Sequence, residues 1–178
     1  MAEIANTYDY SQEQAEVCRL HDRLRRCLMD QKYYAHRLSQ YQRWDVATNL
    51  IAGVATLASL AARGTGGLVY GLSYALGCLA ALILIGKPIF KFSEQIERYT
   101  LLYSGFAEAF SRMDGLIADI RRSGTITDEH RTRAEEIIRQ CDALALREDT
   151  AVNRRQLARF KAEVDEAIPA ETLWLPSK

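Results

Sequence analysis

Between Val17 and Tyr41 the positions Val17, Leu20, Leu24, Cys27, Gln31, Tyr34, Leu38 and Tyr41 recur at alternating steps of three and four, while Arg19, Asp22, Arg23, Arg25, Arg26 and Asp30 occupy the other faces. That spacing is the seam of an amphipathic helix, and the absence of Pro and Gly from Ser11 to Tyr41 predicts one helix over this stretch. A second seam is more regular. Phe92, Ile96, Tyr99, Tyr103, Phe106, Phe110, Met113, Ile117 and Ile120 step four, three, four, three without a break. A helix with such a seam needs a long partner. The N-terminal helix has that length, so the two are expected to pack antiparallel, with Phe92, Tyr99, Phe106 and Phe110 as packing residues.

Arg121-Arg122-Ser123-Gly124 predicts the end of the second helix, since basic side chains suit the negative end of the helix dipole and Gly suits the left-handed closing position. Thr127 followed by Asp128 and Glu129 predicts an N-cap and an acidic first turn. Further helices are expected to about Arg147, and from about Thr150 to Ala167 before Pro169. No segment reads as a strand and no internal repeat is visible, so the fold class is all-α.

Between the two seams the pattern changes. Val46–Ala62 and Gly66–Gly86 are free of charge, about 17 and 21 residues against the roughly 20 that cross a hydrocarbon core. Arg63-Gly64-Thr65-Gly66 reads as the turn between them, and Tyr41, Trp44, Phe90 and Phe92 flank the pair as interfacial aromatics do. The expected architecture is a two-helix transmembrane hairpin extended by long cytoplasmic helices into a helical bundle or coiled coil. It divides into an N-terminal cytoplasmic amphipathic helix (1–45), the hairpin (46–86) and a cytoplasmic helical region (87–178). Lys32, Arg37 and Arg43 precede the hairpin and Lys87, Lys91 and Arg98 follow it, against Arg63 alone in the turn, which predicts that both termini are cytoplasmic. The alternative is a hairpin buried inside a soluble helical protein.

The faces of the hairpin are unequal. Asp45, Asn49, Ala52, Thr56, Ser59 and Arg63 fall along one side of the first segment, a small and polar stripe. In the second, Leu68, Leu72, Leu76, Leu79 and Ile83 form an apolar face, and Gly67, Gly71 and Ala75 a small-residue row for close helix packing. A polar stripe in hydrocarbon must face protein or water. Asn49, Ala52, Thr56 and Ser59 are therefore candidate pore-lining positions in a homo-oligomer, with plain helix packing as the other reading. Lys87 and Pro88 stand where the second span meets the following helix; Pro removes a backbone donor and kinks helices, making this the candidate hinge, or else a static bend.

Composition adds mainly exclusions. The formal charge is zero with 23 bases and 23 acids, and no basic face is concentrated anywhere, which argues against a nucleic-acid partner. Cys18, Cys27, Cys78 and Cys141 are irregularly spaced and read as reduced thiols, and the polar N-terminus does not read as a cleavable signal. His21, His36 and His130 match no metal spacing, and no nucleophile, phosphate-loop or dinucleotide motif stands in context, so no enzyme activity, metal or cofactor is expected. The pairs Arg25-Arg26, Arg121-Arg122 and Arg154-Arg155 suit phosphate or lipid headgroups in principle, though solvated helix faces account for them.

The run QKYYAHRLSQYQRW leading into the hairpin, and KPIFKFSEQIERYTLLYSGFAEAFSRM leaving it as a long helix, resemble the SLATT superfamily of bacterial two-transmembrane effectors. The resemblance covers roughly Gln31 to Ile120 and rests on layout, since the family has no short diagnostic motif. It implies an inner-membrane effector of antiphage defence that oligomerises and forms a pore or disrupts the membrane. It also implies control by the cytoplasmic helices through a nucleotide second messenger or a partner sensor protein. The rival expectation is a non-conducting membrane-anchored scaffold or sensor subunit carrying a coiled-coil interaction module.

Overall fold

A computed structural model of the protein describes residues 2–61, 71, 74, 75, 77, 78, 80–82, 92–147 and 153–169, with the backbone alone for 2–11, 58–61 and 154. Among the described residues helices run over Ala2–Ala61 (α1), Phe92–Ser123 (α2), Asp128–Ala145 (α3) and Arg154–Ala167 (α4). Residues 71, 74, 75, 77, 78 and 80–82 are helical as well, and no strand occurs among the described residues. The protein is all-α.

α1 differs from its expected extent at both ends. It continues without interruption through Tyr41–Asp45, where the hydropathy pattern changes. Nothing in the backbone chemistry breaks it there, because the chain has no Pro or Gly before Gly53. The ends of the later helices follow their caps. α2 closes at Gly124, which has φ +73° and donates its N–H to the Ile120 carbonyl at 2.9 Å. At the start of α3 the Thr127 hydroxyl accepts from the His130 backbone N–H, and His130 Nδ1 accepts from the Thr127 N–H, both at 3.3 Å. α4 starts later than Thr150 because Asn153 caps it, its Oδ1 accepting from the backbone N–H groups of Arg155 at 3.1 Å and Gln156 at 3.4 Å.

Packing divides the chain into two compact units, Met1–Ala35 with Leu101–Lys178, and His36–Thr100. The first is a four-helix bundle whose directions follow from cross-helix pairs. Asp119 meets Arg133 at 3.1 Å, Arg112 reaches Glu136 at 3.3 Å and Gln140 at 2.9 Å, and Gly105 lies against Leu144, so α2 and α3 are antiparallel. Glu16–Arg131 at 3.2 Å and Cys27–Cys141 at 3.2 Å make α1 and α3 parallel. Arg25–Asp165 and Lys32–Glu163 at 3.3 Å make α4 antiparallel to α1. These ion pairs are partly exposed, each worth at most about 1 kcal/mol; they fix register more than stability.

Stability comes from the interior. Val17, Leu20, Leu24 and Cys27 of α1 share one core with Ala109, Met113, Leu116, Ile117 and Ile120 of α2, and with Ala134, Ile137 and Cys141 of α3. Above it Tyr34 stacks on Phe106 with ring centroids 5.7 Å apart, and Tyr33 stands edge-on to Tyr34 at 5.2 Å and to Phe160 at 6.4 Å. Each such large side chain contributes roughly 1.5–3 kcal/mol by leaving water. The buried face of α2 is wider than its seam. Leu102, Ala109 and Leu116 are as completely enclosed as Phe106 and Met113, because a helix inside a bundle is covered from more than one side.

Candidate functional site

The second unit, His36–Thr100, contains most of the sequence-derived candidates. At one level Tyr41 lies 5.2 Å from Tyr99 and 6.4 Å from Phe92 between ring centroids, with the Arg37 guanidinium 5.8 Å from the Tyr41 centroid and 5.6 Å from that of Tyr99. The cation sits over the negative ring faces, an arrangement worth about 0.5–2 kcal/mol depending on solvation. Two expected packing residues, Phe92 and Tyr99, thus meet the α1 aromatic that precedes the apolar stretch.

Beyond Tyr41, α1 turns inside out. Trp44, Val46, Leu50, Ile51, Val54 and Leu57 are exposed, from 46% for Ile51 to 69% for Leu57. At 100° per residue these six cover roughly 160° of the helix circumference. The residues buried on this part of α1 are small: Ala52 and Ala55, as is Ala80. Of the expected polar stripe, Asn49 and Thr56 are exposed and Ala52 is buried; Ser59 lies on the helix, its side chain outside the described residues. The stripe bonds along its own helix. Asn49 Nδ2 donates to Asp45 at 3.2 Å, the Thr48 hydroxyl to the carbonyls of Trp44 and Asp45 at 2.9 Å each, and the Thr56 hydroxyl to the Ala52 carbonyl at 2.7 Å. Hydroxyls satisfied in this way can be carried into an apolar medium without a partner helix.

Gly71 and Ala75 are helical and exposed. Gly67, Lys87 and Pro88 lie outside the described residues, as does most of the stretch 66–86. Among the described residues no helix is long and apolar enough to cross a membrane, which departs from the expected pair of spans. α1 is described only as far as Ala61, and most of the second expected span lies outside the described residues. Phe106 and Phe110 belong to the bundle, Phe106 buried and Phe110 half-buried against its core.

Three features of the bundle were not legible as pairs in the sequence. Cys27 and Cys141 are both buried and their sulfurs are 3.2 Å apart. The Cys27 thiol is pushed well up, first by its hydrogen bond with Cys141 and then by burial, whereas that same bond draws Cys141 down, with Arg23 assisting. The bond between the two thiols favours loss of one proton from the pair and opposes loss of the second. His21, 6% exposed, is held below its ordinary value chiefly by burial and also by Arg25 and Arg121, with Asp22 opposing. On the surface, Arg159 and then Lys32 hold the Glu163 carboxyl below the usual range. No group of three or more metal-ligating side chains comes together among the described residues.

The fold and this site define the chain as an all-helical protein pairing a closed bundle with an apolar-faced helical unit. Comparison with protein-family models, with curated proteins and with solved structures yields no match.

Proposed function

We propose that the protein is a membrane effector. Its 46–86 hairpin enters a lipid bilayer, and several copies assemble to form a pore or disrupt the bacterial inner membrane in antiphage defence. Its helical bundle lies on the cytoplasmic side and controls the assembly. The observation supporting this is the exposed apolar face from Trp44 to Leu57. Transferring six such side chains from water to an apolar medium is favourable by on the order of 10 kcal/mol, so the face is not one that water retains. The aromatic cluster of Tyr41, Tyr99 and Phe92 with Arg37, next to exposed Trp44, has the composition of a membrane interface.

Two helices cannot enclose an aqueous path, so conduction needs several subunits in closed symmetry with Asn49 and Thr56 turned inward and Leu50, Val54 and Leu57 toward lipid. Asn49 and Thr56 are both exposed, their side chains bonding along α1. Lys87-Pro88 is the hinge through which a rearranged bundle tilts the hairpin, and the trigger is a nucleotide second messenger or a partner sensor protein.

The test is leakage from liposomes carrying the full chain, together with growth arrest on expression. Asn49→Leu and Thr56→Leu should keep membrane insertion and oligomer size while lowering dye release several-fold, and Leu57→Ile should leak like wild type. Leucine variants that leak undiminished would remove the pore and leave the hairpin as the anchor of a scaffold.

A further inference from the structure

The bundle brings together two cysteines that the sequence separates by 114 positions, with Cys27 Sγ 3.2 Å from Cys141 Sγ. Both are free thiols on different helices, α1 and α3. The gap is about 1 Å more than a covalent S–S bond, a displacement that side-chain rotation and slight helix movement can supply. The pair also borders a small cavity of about 20 Å³, lined by Arg23, Arg26, Asp30, Phe106, Asp142 and Ala145. That is room for one molecule of water size. The two sulfurs share its lining with the guanidinium groups of Arg23 and Arg26.

We propose that Cys27 and Cys141 are a peroxide-closable clasp: a modification site at which oxidation joins α1 to α3 and locks the bundle. The chemistry balances in two steps. The Cys141 thiolate attacks one peroxide oxygen, the O–O bond breaks, and Cys141 becomes a sulfenic acid; the hydroxide released takes up the thiol's proton as water. Cys27 sulfur then attacks Cys141 sulfur, the S–O bond breaks, and the departing hydroxide leaves as water with the proton of Cys27. Two thiols lose two electrons and one hydrogen peroxide becomes two waters.

Cys141 is the first nucleophile. The S–H of Cys27 and, more weakly, the Arg23 guanidinium favour its thiolate, while burial, Asp142 and Asp30 act against it. From α2 the cavity receives Phe106, which brings no charge. The other two cysteines are placed differently, Cys18 half-buried and Cys78 exposed. The clasp stands apart from the membrane reading, and its readout uses no membrane activity.

The experiment takes the full chain with Cys18→Ser and Cys78→Ser, so that only the pair remains. It is exposed to hydrogen peroxide, remaining thiols are alkylated, and the products are examined by peptide mass and non-reducing electrophoresis. The expected product is a monomer lighter by two hydrogens, with the peptides of Cys27 and Cys141 linked and released by dithiothreitol. Its Tm should rise by roughly 10 °C, as closing a loop of this length implies for a chain of this size. Arg23→Gln, which leaves both thiols in place, should slow linkage several-fold at neutral pH and move the rate profile to higher pH. The proposal is overturned if both cysteines stay alkylatable while peroxide oxidises an exposed thiol of a control peptide. It is equally overturned if the link forms between chains, or if Cys141 proceeds to sulfinic acid without joining Cys27.

Discussion

Along α1 from Val17 to Tyr34 the large side chains are buried and the charges stand outside in pairs with α3 and α4. From Trp44 to Leu57 the same helix buries alanines and exposes Leu, Ile, Val and Trp. The backbone is helical in both, so the difference lies in what the side chains can be packed against. The bundle segment has three neighbours whose apolar faces match its own, and its stability is an ordinary matter of removing area from water. The second segment buries only small residues and leaves its large ones facing outward, and the proposed membrane role rests on that face.

The same charge placed in the two regions should act in different ways. Phe106→Asp, in contact with Tyr34 at the bundle centre, removes a buried ring and leaves a carboxylate without a partner. We expect a loss of roughly 3–5 kcal/mol, enough to unfold the bundle, read as collapse of the thermal transition and of monodisperse size. Val54→Asp, 60% exposed, should shift bundle stability by no more than about 0.5 kcal/mol, yet carries an insertion cost near 3 kcal/mol at a helix centre. Carbonate-resistant membrane recovery should drop accordingly. If Val54→Asp is recovered in membranes as wild type is, the outward face of α1 does not meet lipid.

Two glycines of α2 sharpen the packing side. A Cβ at Gly105 would lie 2.7 Å from Leu144 Cδ2 and 2.9 Å from Cδ1, so Gly105→Ala should destabilise by about 1 kcal/mol as Leu144 is forced aside. At Gly115 a Cβ meets nothing within 4 Å, and Gly115→Ala should instead stabilise by about 0.5–1 kcal/mol through helix propensity. Thermal melts of the two variants should move in opposite directions. The smallest effect is that of pH. Folding lowers the affinity of His21 for a proton below its ordinary value of 6.5, so the unfolded chain binds more protons once pH falls below that value. Bundle stability should decline on acidification from that point and be insensitive to this group above it. His21→Gln should flatten the slope between about pH 7 and 5 in melts at matched ionic strength.

The spacing of apolar residues was sufficient for the helices and for several of the buried positions. Val17, Leu20, Leu24 and Tyr34 on α1, and Tyr99, Phe106, Met113 and Ile120 on α2, stand in three-and-four rows and are buried. Gly124 and Thr127 mark a stop and a start because backbone sign and capping chemistry are local. Local chemistry also left α1 unbroken where its polarity changes, since hydropathy alone ends no helix. What local information could not specify is which face meets which. The burial of Tyr33, His21, Leu102 and Leu116 beside the rows follows from a bundle closing around α1 and α2 on several sides. Cys27 and Cys141 become neighbours only because α3 returns antiparallel to α2 and therefore parallel to α1. A single helix has a period but no partner. The contacts that bury a flank or join two thiols are made by the other chain segments, and only the tertiary structure brings those within reach.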